Sequence, residues 1–80
     1  MPRFYFHIFD DTVSMDEAGQ VADDLEAARV IALDGARELV CEQVRRGYLN
    51  LENYIVLADE QGEELCRIEF REAFTVQRND

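Results

Sequence analysis

The segment from Asp23 to Gly47 constrains the fold most, because it is long and periodic enough to predict an amphipathic helix. Asp23 or Asp24 could cap its first backbone amides, and Gly47 could end it in a left-handed conformation. If Asp23 is the cap, Glu26 falls where a capping box needs it. Apolar and alanine residues recur every three or four positions and predict one stripe facing a core. The stripe consists of Leu25, Ala28, Ala32, Leu33, Ala36, Leu39, Val40 and Val44.

The predicted helix is longer than any strand that it could cover. It would measure about 35 Å, whereas a seven-residue strand reaches about 23 Å. We therefore expect the helix to overhang its sheet or to bend, and Gly35 is the natural position for a bend.

The other apolar runs predict strands, because they are rich in aromatic and β-branched residues and are separated by turn residues. Glycine at position 62 predicts a hairpin turn over Asp59–Gly62. Residues 71–76 would add a short helical turn or an edge extension. The predicted strands are Arg3–Phe9, a short one at Val13–Met15, Asn53–Ala58 and Glu64–Phe70.

This order, β-β-α-β-β, predicts a single α+β domain over residues 1–80. It would have two layers, an antiparallel-rich sheet with one long helix on one face. We expect residues 77–80 to be frayed.

The net charge of −10 is unevenly distributed. Residues 1–26 carry seven acids and one arginine, and residues 51–80 carry eight acids and three arginines. Residues 27–50 carry three acids and four arginines. This pattern disfavours direct binding to nucleic-acid phosphates. Local positive charge is expected only near the end of the helix, at Arg37, Arg45 and Arg46.

Two cysteines, Cys41 and Cys66, are too few for a disulfide framework and predict free thiols. The sequence shows no targeting peptide and no apolar run of membrane-spanning length, so we expect a cytoplasmic protein without membrane contact. A domain of 80 residues has a marginal core of its own, and association is a common remedy.

Three blocks of the sequence are similar to a known family. They are the opening Pro2–Ile8, the turn Asp16-x-x-Gly19 with the following helix start Asp24–Arg29, and the hairpin Asp59-x-x-Gly62 leading to Ile68-x-Phe70-Arg71. In this order they resemble short alphaproteobacterial proteins catalogued as domain of unknown function 6894. The chain departs from that pattern at Asp23, where a proline often precedes the helix cap. The resemblance implies the fold and a bacterial origin and implies no activity.

No residues form a recognisable catalytic, cofactor or metal constellation, so we predict a protein that is not an enzyme. His7 could handle a proton, but it is the single histidine and has no partner at a recognisable spacing. Cys41 could be a reactive thiol, although neighbouring glutamates oppose the arginines near it. The acidic residues at positions 10–24 lack the alternation of a calcium loop and are better explained as turn and cap residues.

Two apolar sets remain uncovered in this arrangement, and they predict an interaction surface. One set lies on the sheet face that a single helix cannot cover, and the other lies outside the main helix stripe, together with Cys41. The predicted interface residues are Tyr5, His7, Phe9, Val30, Ile31, Tyr54 and Val56.

The leading functional hypothesis is a non-catalytic interaction module that forms a homodimer or binds another protein. An alternative is an antitoxin-like or nucleic-acid-mimicking regulatory protein, whose acidic surface would cover a basic partner. A third class is a small-ligand or enzymatic role centred on His7 and Tyr5.

Overall fold

The structure is a computed structural model that describes residues 1–79. These residues form one five-stranded antiparallel sheet, one long helix and one short 3₁₀ turn. The predicted two-layer α+β fold is therefore confirmed. The elements are β1 (Arg3–Phe9), β2 (Val13–Ser14), β3 (Gln20–Val21), α1 (Leu25–Arg45), β4 (Tyr54–Ala58), β5 (Glu64–Glu69) and the 3₁₀ turn (Phe70–Ala73).

Strand β1 is central, and its two edges are occupied differently. One edge pairs along most of its length with β4, which in turn pairs with β5. The other edge pairs with β2 near its C-terminal end and with β3 near its N-terminal end. Strand β3, only two residues long, is absent from the predicted order of elements.

Both ends of helix α1 are capped by hydrogen bonds. Asp24 is the N-cap, and its Oδ1 accepts the N–H of Ala27 at 2.8 Å, so the capping box that required Asp23 does not form. At the other end Gly47 has φ +92°, and its N–H donates to Val44 O at 2.9 Å. The N–H of Tyr48 reaches Gln43 O at 3.1 Å, which completes a Schellman termination.

The core lies between α1 and the sheet, and small helix residues let the two layers approach closely. Ala28, Ala32 and Ala36 are fully buried, as predicted, and Leu57 and Ile68 meet them from the sheet. The side chains of β5 alternate as predicted, with Cys66 and Ile68 facing the core. Phe70 also faces the core and begins the 3₁₀ turn. A short helical turn after β5 is one of the two predicted alternatives.

The ends of the predicted apolar stripe do not reach the core. Leu25 is 41% exposed and Val44 is 58% exposed, and each lies in the terminal turn at its own end of α1. The helix runs unbroken through Gly35, and its 21 residues span about 32 Å, against about 23 Å for the seven-residue β1. Residues 74–79 have no regular secondary structure, and of the predicted frayed end, Asp80 lies outside the described residues.

Gly35 offers a stabilising substitution, because it occupies a helical position that does not require glycine. A Cβ added there would lie 3.7 Å from Ile55 Cδ1, an ordinary contact distance. We expect Gly35→Ala to raise the free energy of unfolding by about 1 kcal/mol, the cost of glycine relative to alanine inside a helix. Urea denaturation followed by circular dichroism measures this.

Gly62→Ala provides a control with the opposite sign, since Gly62 has φ +81° and open space around its Cβ position. It should lose about 1–2 kcal/mol through backbone strain alone. A loss of stability in Gly35→Ala would show that the helix–sheet spacing tolerates no added methyl group.

Candidate functional site

The side of the sheet opposite α1 carries an aromatic surface, which we call the open face. It comprises Tyr5, His7, Phe9, Tyr54 and Val56. Pairing of β1 with β4 brings these residues together, because His7 lies opposite Val56 and Phe9 lies opposite Tyr54. Directly opposed residues of antiparallel strands share a face. Five of the seven predicted interface residues therefore form one contiguous patch.

The aromatic rings of the open face are held in place by contacts within the chain. Phe9 and Tyr54 stack with ring centroids 5.0 Å apart and an interplanar angle of 14°. The Arg67 guanidinium carbon lies 4.1 Å from the centroid of the Tyr54 ring. Such contacts fix the rings before any partner binds, which lowers the entropy cost of an interface.

Val56 differs from the rest of the open face, because it is only 7% exposed. Larger side chains on the two adjacent strands flank it, since it lies opposite both His7 and Arg67. Val56 therefore fills the space between the surrounding side chains of the open face.

The two other predicted interface residues lie on α1 and do not join the open face. Val30 is 54% exposed on the helix surface. Ile31 is half-buried and packs against the core cluster of Phe4, Ala22, Ala28 and Leu57. Val30 therefore faces solvent, and Ile31 faces the interface between the helix and the sheet.

His7 is tied to the loop that crosses the edge of β1. Its Nδ1 accepts the backbone N–H of Asp16 at 3.0 Å. The Asp16 carboxylate in turn accepts the N–H groups of Phe6 (3.1 Å), Ala18 (3.1 Å) and Gly19 (3.0 Å). The Nδ1 atom of His7 therefore has a structural role. Any functional contact of this side chain would have to use Nε2.

The Asp16 carboxyl group is electrostatically adapted to this position. Partial burial raises its pKa, but the backbone hydrogen bonds from Gly19, Phe6 and Ala18, with a smaller contribution from His7, lower the pKa below its ordinary value. Asp16 fills the part of the β1 edge that lies between β2 and β3. The sequence showed Asp16 only as a turn residue.

A second polar cluster, also missed at the level of sequence, fixes the loop after α1. Gln43 is 3% exposed; its Nε2 donates to Asn53 Oδ1 at 2.8 Å, and its Oε1 accepts the N–H of Asn50 at 3.0 Å. The Tyr48 hydroxyl donates to the Asp11 carboxylate, which raises the pKa of Tyr48. These contacts satisfy buried polar atoms and join the loop to the β1–β2 turn.

Among the described residues, the cysteines form no disulfide and the acidic residues form no metal-binding group. Both cysteines are free thiols; Cys41 is exposed, and Cys66 is half-buried against the core. Within residues 1–79 no three side chains of His, Cys, Asp or Glu are grouped so that they could hold a metal ion. Over the same residues, no helix has the length and apolar character needed to span a bilayer.

Sheet, helix and open face define the class: a two-layer α+β domain with an aromatic sheet face that no other element among residues 1–79 covers. Within that class, the chain belongs to the family described as domain of unknown function 6894, which matches residues 3–71. The family resemblance inferred from the three sequence blocks is confirmed. No curated protein and no solved structure matches the chain.

Proposed function

We propose that this protein is a non-catalytic interaction module that acts in the cytoplasm as a homodimer assembled through the open face. The observation that carries this proposal is the pre-ordered aromatic patch on a sheet face that no other described element covers. A stable domain of this size gains apolar burial when a second copy covers such a face.

Ion pairs beside the open face lower the repulsion that a second acidic copy would meet there. The chain carries a net charge of −10, yet the charged residues beside the open face are balanced and paired. Arg67 lies 3.5 Å from Glu64, and Arg71 lies 3.1 Å from Glu69. Two copies meeting here would avoid most of the repulsion between their acidic surfaces.

Neighbouring apolar residues extend the open face toward the area that a standard interface needs. A standard interface buries about 800 Å² per partner, and the chain exposes 5568 Å² in total. Val13 and Val21 are 61% and 42% exposed. They share the open face because they pair with Phe9 and Arg3.

Analytical ultracentrifugation of the wild type and two variants tests the homodimer. We expect the wild type to sediment as a dimer at micromolar concentration. Phe9→Glu should weaken the dimer about 30-fold, because it removes an aromatic anchor and places two like charges in the interface. Val30→Glu should leave it unchanged, since Val30 lies on α1, on the other side of the sheet.

Circular dichroism of Phe9→Glu checks that the monomer remains folded. A wild type that is strictly monomeric at these concentrations would refute the proposal. A dimer broken by Val30→Glu and kept by Phe9→Glu would move the interface from the sheet to the helix.

A second candidate function is binding to a basic partner, as an antitoxin-like or nucleic-acid-mimicking protein would do. The acidity outside the open face favours it, notably the β4–β5 hairpin with Asp59, Glu60 and Glu63. Such a surface would attract a basic protein over a long range at low salt. The experiment of the next subsection tests this candidate as well.

A further inference from the structure

A groove of about 360 Å³ runs between α1 and β1, on the side of the sheet away from the open face. It exists because α1 packs on β4, β5 and the 3₁₀ turn, which leaves the β1 side of the sheet less covered. Gly35 widens the groove, since it presents no side chain there. The volume falls within the range of about 300–1,000 Å³ that is common for ligand sites.

The groove has an apolar floor and an acidic rim. Its floor is formed by apolar side chains from both layers: Phe6, Ile8, Ile31, Leu39 and Ile55. Its rim carries the carboxylates of Asp16, Glu38 and Glu42. Arg46 neutralises part of this charge at one end, where it lies 3.4 Å from Glu42. Among the ion pairs found within residues 1–79, Glu38 takes part in none.

We propose that this groove binds a basic amphipathic helix from another protein. Apolar side chains at helical spacing would enter the floor, and lysine or arginine side chains beside them would meet the rim carboxylates. The proposal deepens the second candidate function, on which it rests, by giving the partner's chemistry and the place where it binds. It is independent of the homodimer, because the groove and the open face lie on opposite sides of the sheet.

A second copy of this chain is a poor occupant of the groove. The one long helix among the described residues, α1, carries Glu26, Asp34, Glu38 and Glu42 against Arg29, Arg37 and Arg45. It would therefore bring a net negative charge to an acidic rim. A basic segment supplies the complementary charge.

Synthetic peptides test the proposal in fluorescence titrations with the full chain. The first peptide contains only leucine and lysine, spans about four helical turns and places its leucines on one face. The second has the same leucines with glutamate for lysine. The third is a flexible lysine–serine peptide of the same charge. We expect the first peptide to bind at least about tenfold more tightly than either of the others.

Two double variants locate the site. Glu38→Gln with Glu42→Gln removes two rim charges, and Glu60→Gln with Glu63→Gln removes two charges at the β4–β5 hairpin. All four residues are exposed, so each variant should remain folded. The rim variant should bind the leucine–lysine peptide about tenfold more weakly than the wild type, and the hairpin variant should change binding by no more than about twofold.

Each other result rejects a defined part of the proposal. Equal weakening by the two double variants would show attraction by surface charge alone, which overturns the groove and leaves the basic-partner function standing. Equal binding of the flexible peptide would overturn the groove in the same way. Absence of binding by both lysine peptides would overturn the groove and the basic-partner function together.

Discussion

Gly19→Ala is expected to lower the free energy of unfolding by about 3 kcal/mol, because it combines backbone strain with overpacking. Gly19 has φ +71°, where a residue with a Cβ is disfavoured by about 1–2 kcal/mol. A Cβ at this position would also lie 2.9 Å from Arg3 Cγ, Phe4 O and Tyr5 Cε2. The flexible Arg3 side chain can move away, but the Phe4 carbonyl belongs to the central strand and cannot.

Gly47→Ala is the matched control for this substitution. Gly47 has φ +92°, and nothing lies within 4 Å of its Cβ position. It should lose about 1–2 kcal/mol through strain alone. The difference between the two variants then measures the steric part, and equal losses would show that the β1 edge relaxes around the new methyl group. Urea denaturation at one fixed protein concentration is the measurement, since dimerisation would make stability depend on concentration.

The expected loss is large for a domain of this size. Total stability is typically about 0.05–0.15 kcal/mol per residue, so 3 kcal/mol is a substantial share for 80 residues. We also expect a fall in Tm of about 10–20 °C. If the open face forms the dimer, Gly19→Ala should weaken the dimer too, since Gly19 packs against the Tyr5 ring.

The elements that sequence reasoning predicted are those that local chemistry and periodicity determine. Asp24 and Gly47 bound the helix because capping acts over a few residues. Ala28, Ala32 and Ala36 are buried because their spacing matches the helical period. The alternation of β5 and the turn at Gly62 likewise follow from nearest neighbours along the chain.

The features that sequence reasoning missed depend on contacts between distant segments. Gln20–Val21 is too short for a periodic signal, and it becomes a strand because it reaches the free edge of β1. Gln43 lies in a polar region of the helix sequence, yet it is buried because the loop after α1 folds back over it. The predicted apolar stripe includes Leu25 and Val44, but both are exposed, because the sheet is shorter than the helix.

The open face was predictable in part, because the alternation of side chains along each strand is a local property. Alternation along β1 and β4 placed Tyr5, His7 and Phe9 on one side and Tyr54 and Val56 on one side of their own strand. The pairing register, which joins the two sets, and the burial of Val56 follow only from the assembled sheet. The groove beside α1 was not visible in the sequence, because it arises from the position of the helix across the sheet.

Asp16→Ala is expected to lower the free energy of unfolding by about 2 kcal/mol, because three backbone N–H groups lose a charged acceptor. The half-exposed position lets water replace part of these bonds, which keeps the loss below the sum of three buried ones. Asp16→Asn should lose about half as much. Its amide oxygen can still accept from Ala18 and Gly19, but its amide nitrogen then faces the N–H of Phe6, donor against donor.

The pH dependence of the free energy of unfolding shows whether the negative charge of Asp16 or its hydrogen-bond geometry stabilises the fold. Because the pKa of this carboxyl is lowered from 3.8 in the folded state, the unfolded chain takes up the proton first as the pH falls. The stability advantage of the wild type over Asp16→Asn should therefore be full above about pH 5 and should be lost as the pH falls from the unfolded value through the lowered folded-state pKa. The other carboxyl groups titrate in both proteins and cancel in the difference. Urea denaturation of both proteins from pH 7 to pH 2.5 measures it, and an advantage that stays constant over this range would show that hydrogen-bond geometry, and not the negative charge, makes Asp16 stabilising.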